Sequence, residues 1–177
     1  MIALLGQHAA GSLQRYDSFC ALLLATEPDN AVTHNNLGLL LAIQGRTSEA
    51  LGHLYQSVAI NPNDPMAFFN LGRIFADQGQ DEKALENYRQ ALRLAPTQFE
   101  IQLQLGKILE RQNHFAEGKK HFEVAMKLKP ESAEARRALA RSLAKLGLEG
   151  EAQKQYEEAI RLLEIQRKFA SNGKTKD

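Results

Sequence analysis

Residues 65–98 read PMAFFNLGRIFADQGQDEKALENYRQALRLAPTQ, and this stretch decides the fold because the rest of the chain copies it. In its first half Phe68, Leu71, Gly72 and Phe75 recur at steps of three and four, which places them on one face of a helix. Gly79 predicts the end of that helix, since glycine enters the left-handed C′ conformation without a Cβ penalty. Asp81 is expected to cap a second helix. Along that helix Ala84, Tyr88, Ala91, Leu92 and Leu94 form the apolar stripe, and Pro96 blocks its continuation. A lone pair of helices this short cannot bury its apolar faces. The hairpin requires neighbours.

The chain supplies them at a period of 34 residues. Leu37–Gly38, Leu71–Gly72, Leu105–Gly106 and Leu139–Ala140 fall in one register. Ala50, Ala84, Gly118 and Ala152 form a second column, and Ser57, Ala91, Ala125 and Ala159 a third. Pro62, Pro96 and Pro130 close three units. Small side chains in register let helix backbones approach to the short end of the usual interaxial range, about 8 Å. The large residues expected at the crossings are Leu54, Tyr88, Phe122 and Tyr156, one per unit.

This pattern resembles the tetratricopeptide repeat (TPR) family, whose unit carries Leu–Gly, Ala, aromatic, Ala and Pro at these offsets. The resemblance covers four units, 31–64, 65–98, 99–132 and 133–166. It implies an all-α, right-handed superhelical TPR solenoid of antiparallel helix pairs. The aromatic usual at the fourth position is Phe68 in one copy but His34, Gln102 and Arg136 in the others, and Glu164 replaces the closing proline of the last. These departures read as ordinary drift, because the packing columns stay intact.

Bulk composition narrows the partners. With 22 basic and 21 acidic residues the formal net charge is +1, which makes no case for nucleic acid or a membrane surface. No run of 18 apolar residues is present, and the N-terminus MIALLGQHAAG lacks the basic leader of a secretory signal. The single Cys20 cannot form an internal disulfide, so the cytoplasm is the default compartment, although a chain trimmed of its leader would look the same.

Residues 1–30 read as a truncated or divergent repeat: Pro28 falls one period before Pro62, and Leu13, Phe19, Cys20, Leu23 and Leu24 outline a second helix. Tyr16 occupies a column where every later copy has a small residue. Asn30, Asp64 and Ser132 are placed to cap first helices, with Pro65 suited to a first helical position. The last helix is expected to run from about Glu151 toward Phe169 as a charged closing cap, followed by a disordered tail over 170–177.

Catalytic and metal-binding patterns are weak. His8, His34, His53, His114 and His121 contain no i, i+4 pair, and Glu117 with His121 offers two ligands where a structural zinc takes four. Gly173–Lys174–Thr175 matches the end of a phosphate-binding loop, but Lys168 stands where that motif needs its first glycine. No nucleophile is paired recognisably with a base. No cofactor, metal or catalytic residue is expected.

The resemblance implies instead that the first helix of each unit lines a concave groove. Carried over by position, the first two units contribute Val32, Asn35, Asn36, Leu39, Met66, Phe69, Asn70, Arg73 and Asp77. The last two contribute Glu100, Leu103, Gln104, Lys107, Glu110, Arg111, Glu134, Arg137, Arg141 and Lys145. Asn36 and Asn70, continued by Gln104, offer amides that can pair with the backbone of an extended peptide. Lys107, Arg111, Arg137 and Arg141 suit an acidic segment or a terminal carboxylate, unless Glu110 and Glu134 neutralise them internally. The carboxylate-gripping set of the chaperone-binding subset finds only Asn70 in place, which argues against a heat-shock chaperone tail.

The expected function is thus a non-catalytic protein-interaction module, an adaptor or scaffold, taking a protein or peptide partner. Two rivals are a structural scaffold that self-assembles by stacking its terminal repeats, and the repeat region of a larger enzyme such as a glycosyltransferase.

Overall fold

The computed structural model describes residues 18–172, with side chains described to residue 169. Residues 18–26 form helix α1. There follow α2 (Ala31–Ile43), α3 (Thr47–Ile60), α4 (Pro65–Asp77), α5 (Asp81–Leu94), α6 (Phe99–Arg111), α7 (Phe115–Leu128), α8 (Ala133–Lys145) and α9 (Glu149–Asn172). No strand occurs among the described residues. Helix α1 takes in Phe19, Cys20, Leu23 and Leu24 of the helix expected there, whereas Leu13 and the column position of Tyr16 lie outside the described residues, as does the end of the tail. The chain divides into two compact units, Met1–Leu94 and Ala95–Asp177. In the first, α2 packs on α3 and α4 on α5; in the second, α6 packs on α7 and α8 on α9.

Each helix begins and ends for a local reason. Asn30 accepts from the Thr33 N–H, Asp64 from Met66 and Ser132 from Ala135, so three of the four first helices carry side-chain caps. Asp81 does not precede its helix as expected; it is the first residue of α5, where its charge faces the positive end of the helix dipole. The turn inside each pair needs a left-handed residue, supplied by Gly45, Gly79, Asn113 and Gly147 with φ of 78°, 72°, 63° and 78°. Asparagine is among the few non-glycine types that tolerate this conformation. Helix α9 runs to Asn172, three residues into the stretch expected as a tail.

All twelve members of the three small-residue columns are buried. The contact they permit is close. A Cβ added to Gly72 would lie 2.6 Å from the Tyr88 ring, and one on Gly106 would lie 2.5 Å from that of Phe122. Both rings are sealed in, at 1% and 0% exposure, and cannot swing away. Ser57, the polar member of the columns, donates to the Ala31 carbonyl at 2.9 Å, so its burial leaves no unsatisfied hydroxyl. The fourth copy has Ala140 in the glycine position, and there the partner Tyr156 is only half-buried.

The fourth-position residues are not drift. His34 Nε2 meets the Pro28 carbonyl at 3.0 Å, Gln102 Nε2 donates to that of Pro96 at 3.0 Å, and Arg136 Nε to that of Pro130 at 3.3 Å. Each also reaches its pair's second helix: His34 to His53 (3.0 Å), Gln102 to His121 (2.8 Å) and Arg136 to Gln155 (3.0 Å). A polar side chain here therefore closes the preceding proline turn and ties two helices together.

Two predictions follow from this packing. Gly106→Ala should lower stability by roughly 1–2 kcal/mol, because overpacking against a sealed ring outweighs the gain in helix propensity. Gly52→Ala, exposed with no atom within 4 Å of its Cβ, should raise it by up to about 1 kcal/mol. Urea unfolding of the two variants checks both signs.

A further prediction concerns pH. His53 is held below its ordinary pKa of 6.5, first by burial and then by the facing His34, with Arg46 acting in the same sense and Glu49 opposing. The folded state thus binds fewer protons than the unfolded chain. Its contribution is intact above about pH 6.5 and is lost as pH falls toward the lowered value. The melting temperature should drop between pH 7.5 and 5.5, and more so than in His53→Gln, which supplies the amide that Gln155 provides in the last repeat. Equal slopes would contradict this origin.

Candidate functional site

The first helices of the two units present their faces differently. On α2 and α4, Asn70 Nδ2 donates to Asn35 Oδ1 at 2.9 Å, and both residues are buried. This bond ties α4 to α2 and takes up one acceptor of Asn35 and one donor hydrogen of Asn70. Asn36 and Met66 are exposed. Phe69, expected on the surface, is core instead: it is 6% exposed and packs on Tyr88 with ring centroids 5.7 Å apart. Leu39, half-buried, lies with Arg73 along a cleft between α2, α3 and α4.

On α6 and α8 the charges dominate. Arg141 donates twice to Glu110, at 3.1 and 2.8 Å, and those bonds hold its guanidinium above its ordinary pKa. Lys107 Nζ donates to Glu134 at 2.6 Å. The internal neutralisation weighed from the sequence is therefore real for these two cations. Arg137 differs: it is exposed and makes no ion pair among the described residues. Lys107, Glu134, Arg137, Ala138 and Arg141 together line a cavity of about 260 Å³. Gln104 is half-buried, Arg111 exposed, and Leu103 belongs to the core beside Phe122 and Leu139.

Among the described residues no group of three His, Cys, Asp or Glu side chains could hold a metal ion. No helix there is long and apolar enough to cross a membrane.

The fold and these faces define a helical-repeat protein built from stacked two-helix units. Family models described as "Tetratricopeptide repeat" match residues 31–61, 53–86 and 103–165, and one described as "TPR repeat" matches 72–113. The chain belongs to the tetratricopeptide repeat family. No curated protein matches it. Among solved structures, a crystal structure of MamA superposes with a TM-score of 0.81 at 19% identity, covering 92% of this chain and 95% of that one. MamA 41-end from Desulfovibrio magneticus RS-1 gives 0.79 at 18%, covering 89% of each chain. The structure described as "MamA MSR-1 C2" gives 0.74 at 21%, covering 89% and 91%. At these identities the likeness is one of fold.

The two faces should respond differently to truncation. Asn70→Ala strands a buried Asn35 acceptor and should cost about 1–3 kcal/mol. Arg137→Ala removes an exposed cation with no internal partner and should leave stability within about 0.5 kcal/mol. Chemical denaturation of both variants tests whether Arg137 is spare for a ligand.

Proposed function

We propose that the chain is a non-catalytic protein-interaction module whose α6–α8 face takes an acidic segment of a partner protein. The TPR family and fold support the interaction role in general. The acidic preference rests on Arg137. Lys107 and Arg141 already have carboxylates of their own, so Arg137 is the uncompensated charge at the mouth of the cavity. Its planar fork suits a carboxylate through two parallel hydrogen bonds. A rigid receptor limits the ordering cost of binding to the incoming segment. A single cysteine and the near-neutral charge fit a cytoplasmic setting.

Fluorescence anisotropy with labelled decapeptides rich in Asp and Glu tests this reading. Arg137→Glu should weaken the tightest of them at least about tenfold, and added salt should weaken the wild type. An affinity unchanged by Arg137→Glu would move the site elsewhere.

One observation favours a second reading, stacking of copies through a terminal repeat. Ile160 lies one period after Met126, which is half-buried against the α6–α9 core, yet Ile160 is 57% exposed and Leu163 44%. Light scattering across concentration separates the two; a mass constant at 19.7 kDa argues for the monomeric adaptor.

A further inference from the structure

The first helix pair has a leucine where the others have a ring. Leu54 occupies the column that carries Tyr88, Phe122 and Tyr156 in the later copies. It packs on Gly38 as those rings pack on their own small residues, with a Cβ on Gly38 only 2.7 Å from its Cγ. Beside it a cleft of about 150 Å³ lies between α2, α3 and α4. Leu54 and Ile74 line it as buried residues at 0% and 6% exposure, while Ile43, Arg73 and Asp77 are exposed around it.

The second unit engages its charges at the same place. There Phe122 is the sealed ring at the crossing, and Arg141 reaches Glu110 across the two first helices, beside a charged cavity lined by Lys107 and Ala138. The counterpart of Arg141 is Arg73, and the counterpart of Glu110 is Ala42. Arg73 therefore has no carboxylate opposite it. Neither Arg73 nor Asp77 has a side-chain hydrogen bond or ion pair among the described residues. On α2 the chain also places Leu39 and Ile43 where the third unit carries Lys107 and Arg111. The cleft, its apolar lining and the two unengaged charges coincide at one point.

We propose that this cleft is a subsite for one apolar side chain of leucine size, carried by an extended segment of a partner protein. Its volume is on the scale of cavities that accept benzene, about 150 Å³. Arg73 donates to the carbonyl of the bound residue's flanking peptide bond, and Asp77 accepts its N–H. The pair is neutral overall, as the peptide backbone is. This subsite rests on the reading of the chain as a peptide binder, but it lies in the other unit from the acidic site and uses none of its residues.

The test uses the full chain with labelled isoleucine methyl groups and N-acetyl-leucine-N-methylamide as the probe. The methyl resonances of Ile43 and Ile74 should shift saturably, and the glycine analogue should produce no such shift. Leu54→Phe, which installs the ring found in the later copies, should weaken the probe at least about tenfold. Ala42→Glu, which offers Arg73 the carboxylate that Arg141 has, should do the same from the mouth and guards against misfolding of the first variant. Arg137→Glu should leave the probe's affinity unchanged. Absence of saturable shifts, or a dissociation constant unaltered in both cleft variants, overturns the subsite. Loss of acidic-peptide binding in Arg137→Glu would still stand in that case, so the two readings fail separately.

Discussion

The structure depends on a helix backbone lying directly against the side chain that crosses it. At Gly72 and Gly106 a single methyl group would intrude to 2.6 and 2.5 Å on a ring that has nowhere to go. Dispersion and apolar burial both reward this approach, since a gap of even a fraction of an ångström forfeits much of the contact. Because the same arrangement recurs every 34 residues, each pair presents its first helix in a repeating way, and the exposed positions are those the packing does not consume. Function in such a protein is therefore a property of what is left over.

What is left over differs between the two units. In Ala95–Asp177 the first-helix faces are highly charged, and among the described residues Lys107 and Arg141 are paired internally whereas Arg137 is not. In Met1–Leu94 the face is apolar and amide-rich, with Asn35 and Asn70 bonded to each other and a cleft beside them. A charged face and an apolar face suit different chemistries. The polar fourth-position contacts serve another purpose: they anchor three proline turns, at Pro28, Pro96 and Pro130, to the helix pairs that follow, which fixes where those first helices start.

Much of the architecture was legible because it rests on short-range regularities. Periodic small residues, the glycine and proline boundaries and the caps at Asn30, Asp64 and Ser132 are all local signals, and the helices formed where these placed them. The fourth-position side chains were misread because their partners lie six and nineteen residues away, beyond any helical step. Polar types recurring there, matched by His53, His121 and Gln155 at a constant separation, were the available signal. Phe69 and Leu103 were assigned to the surface by position in the unit, whereas their size carries them into the core. The cleft needed comparison between copies, with Leu54 set against the rings of the later ones.

A double-mutant cycle between Gly72 and Tyr88 tests the central claim most directly. In the wild-type background Gly72→Ala should destabilise, because its methyl group meets the ring. With Tyr88→Ala already in place the same substitution should become neutral or stabilising, by up to about 1 kcal/mol of helix propensity. If Gly72→Ala instead has the same effect in both backgrounds, close approach of backbone to ring is not what holds these helices together.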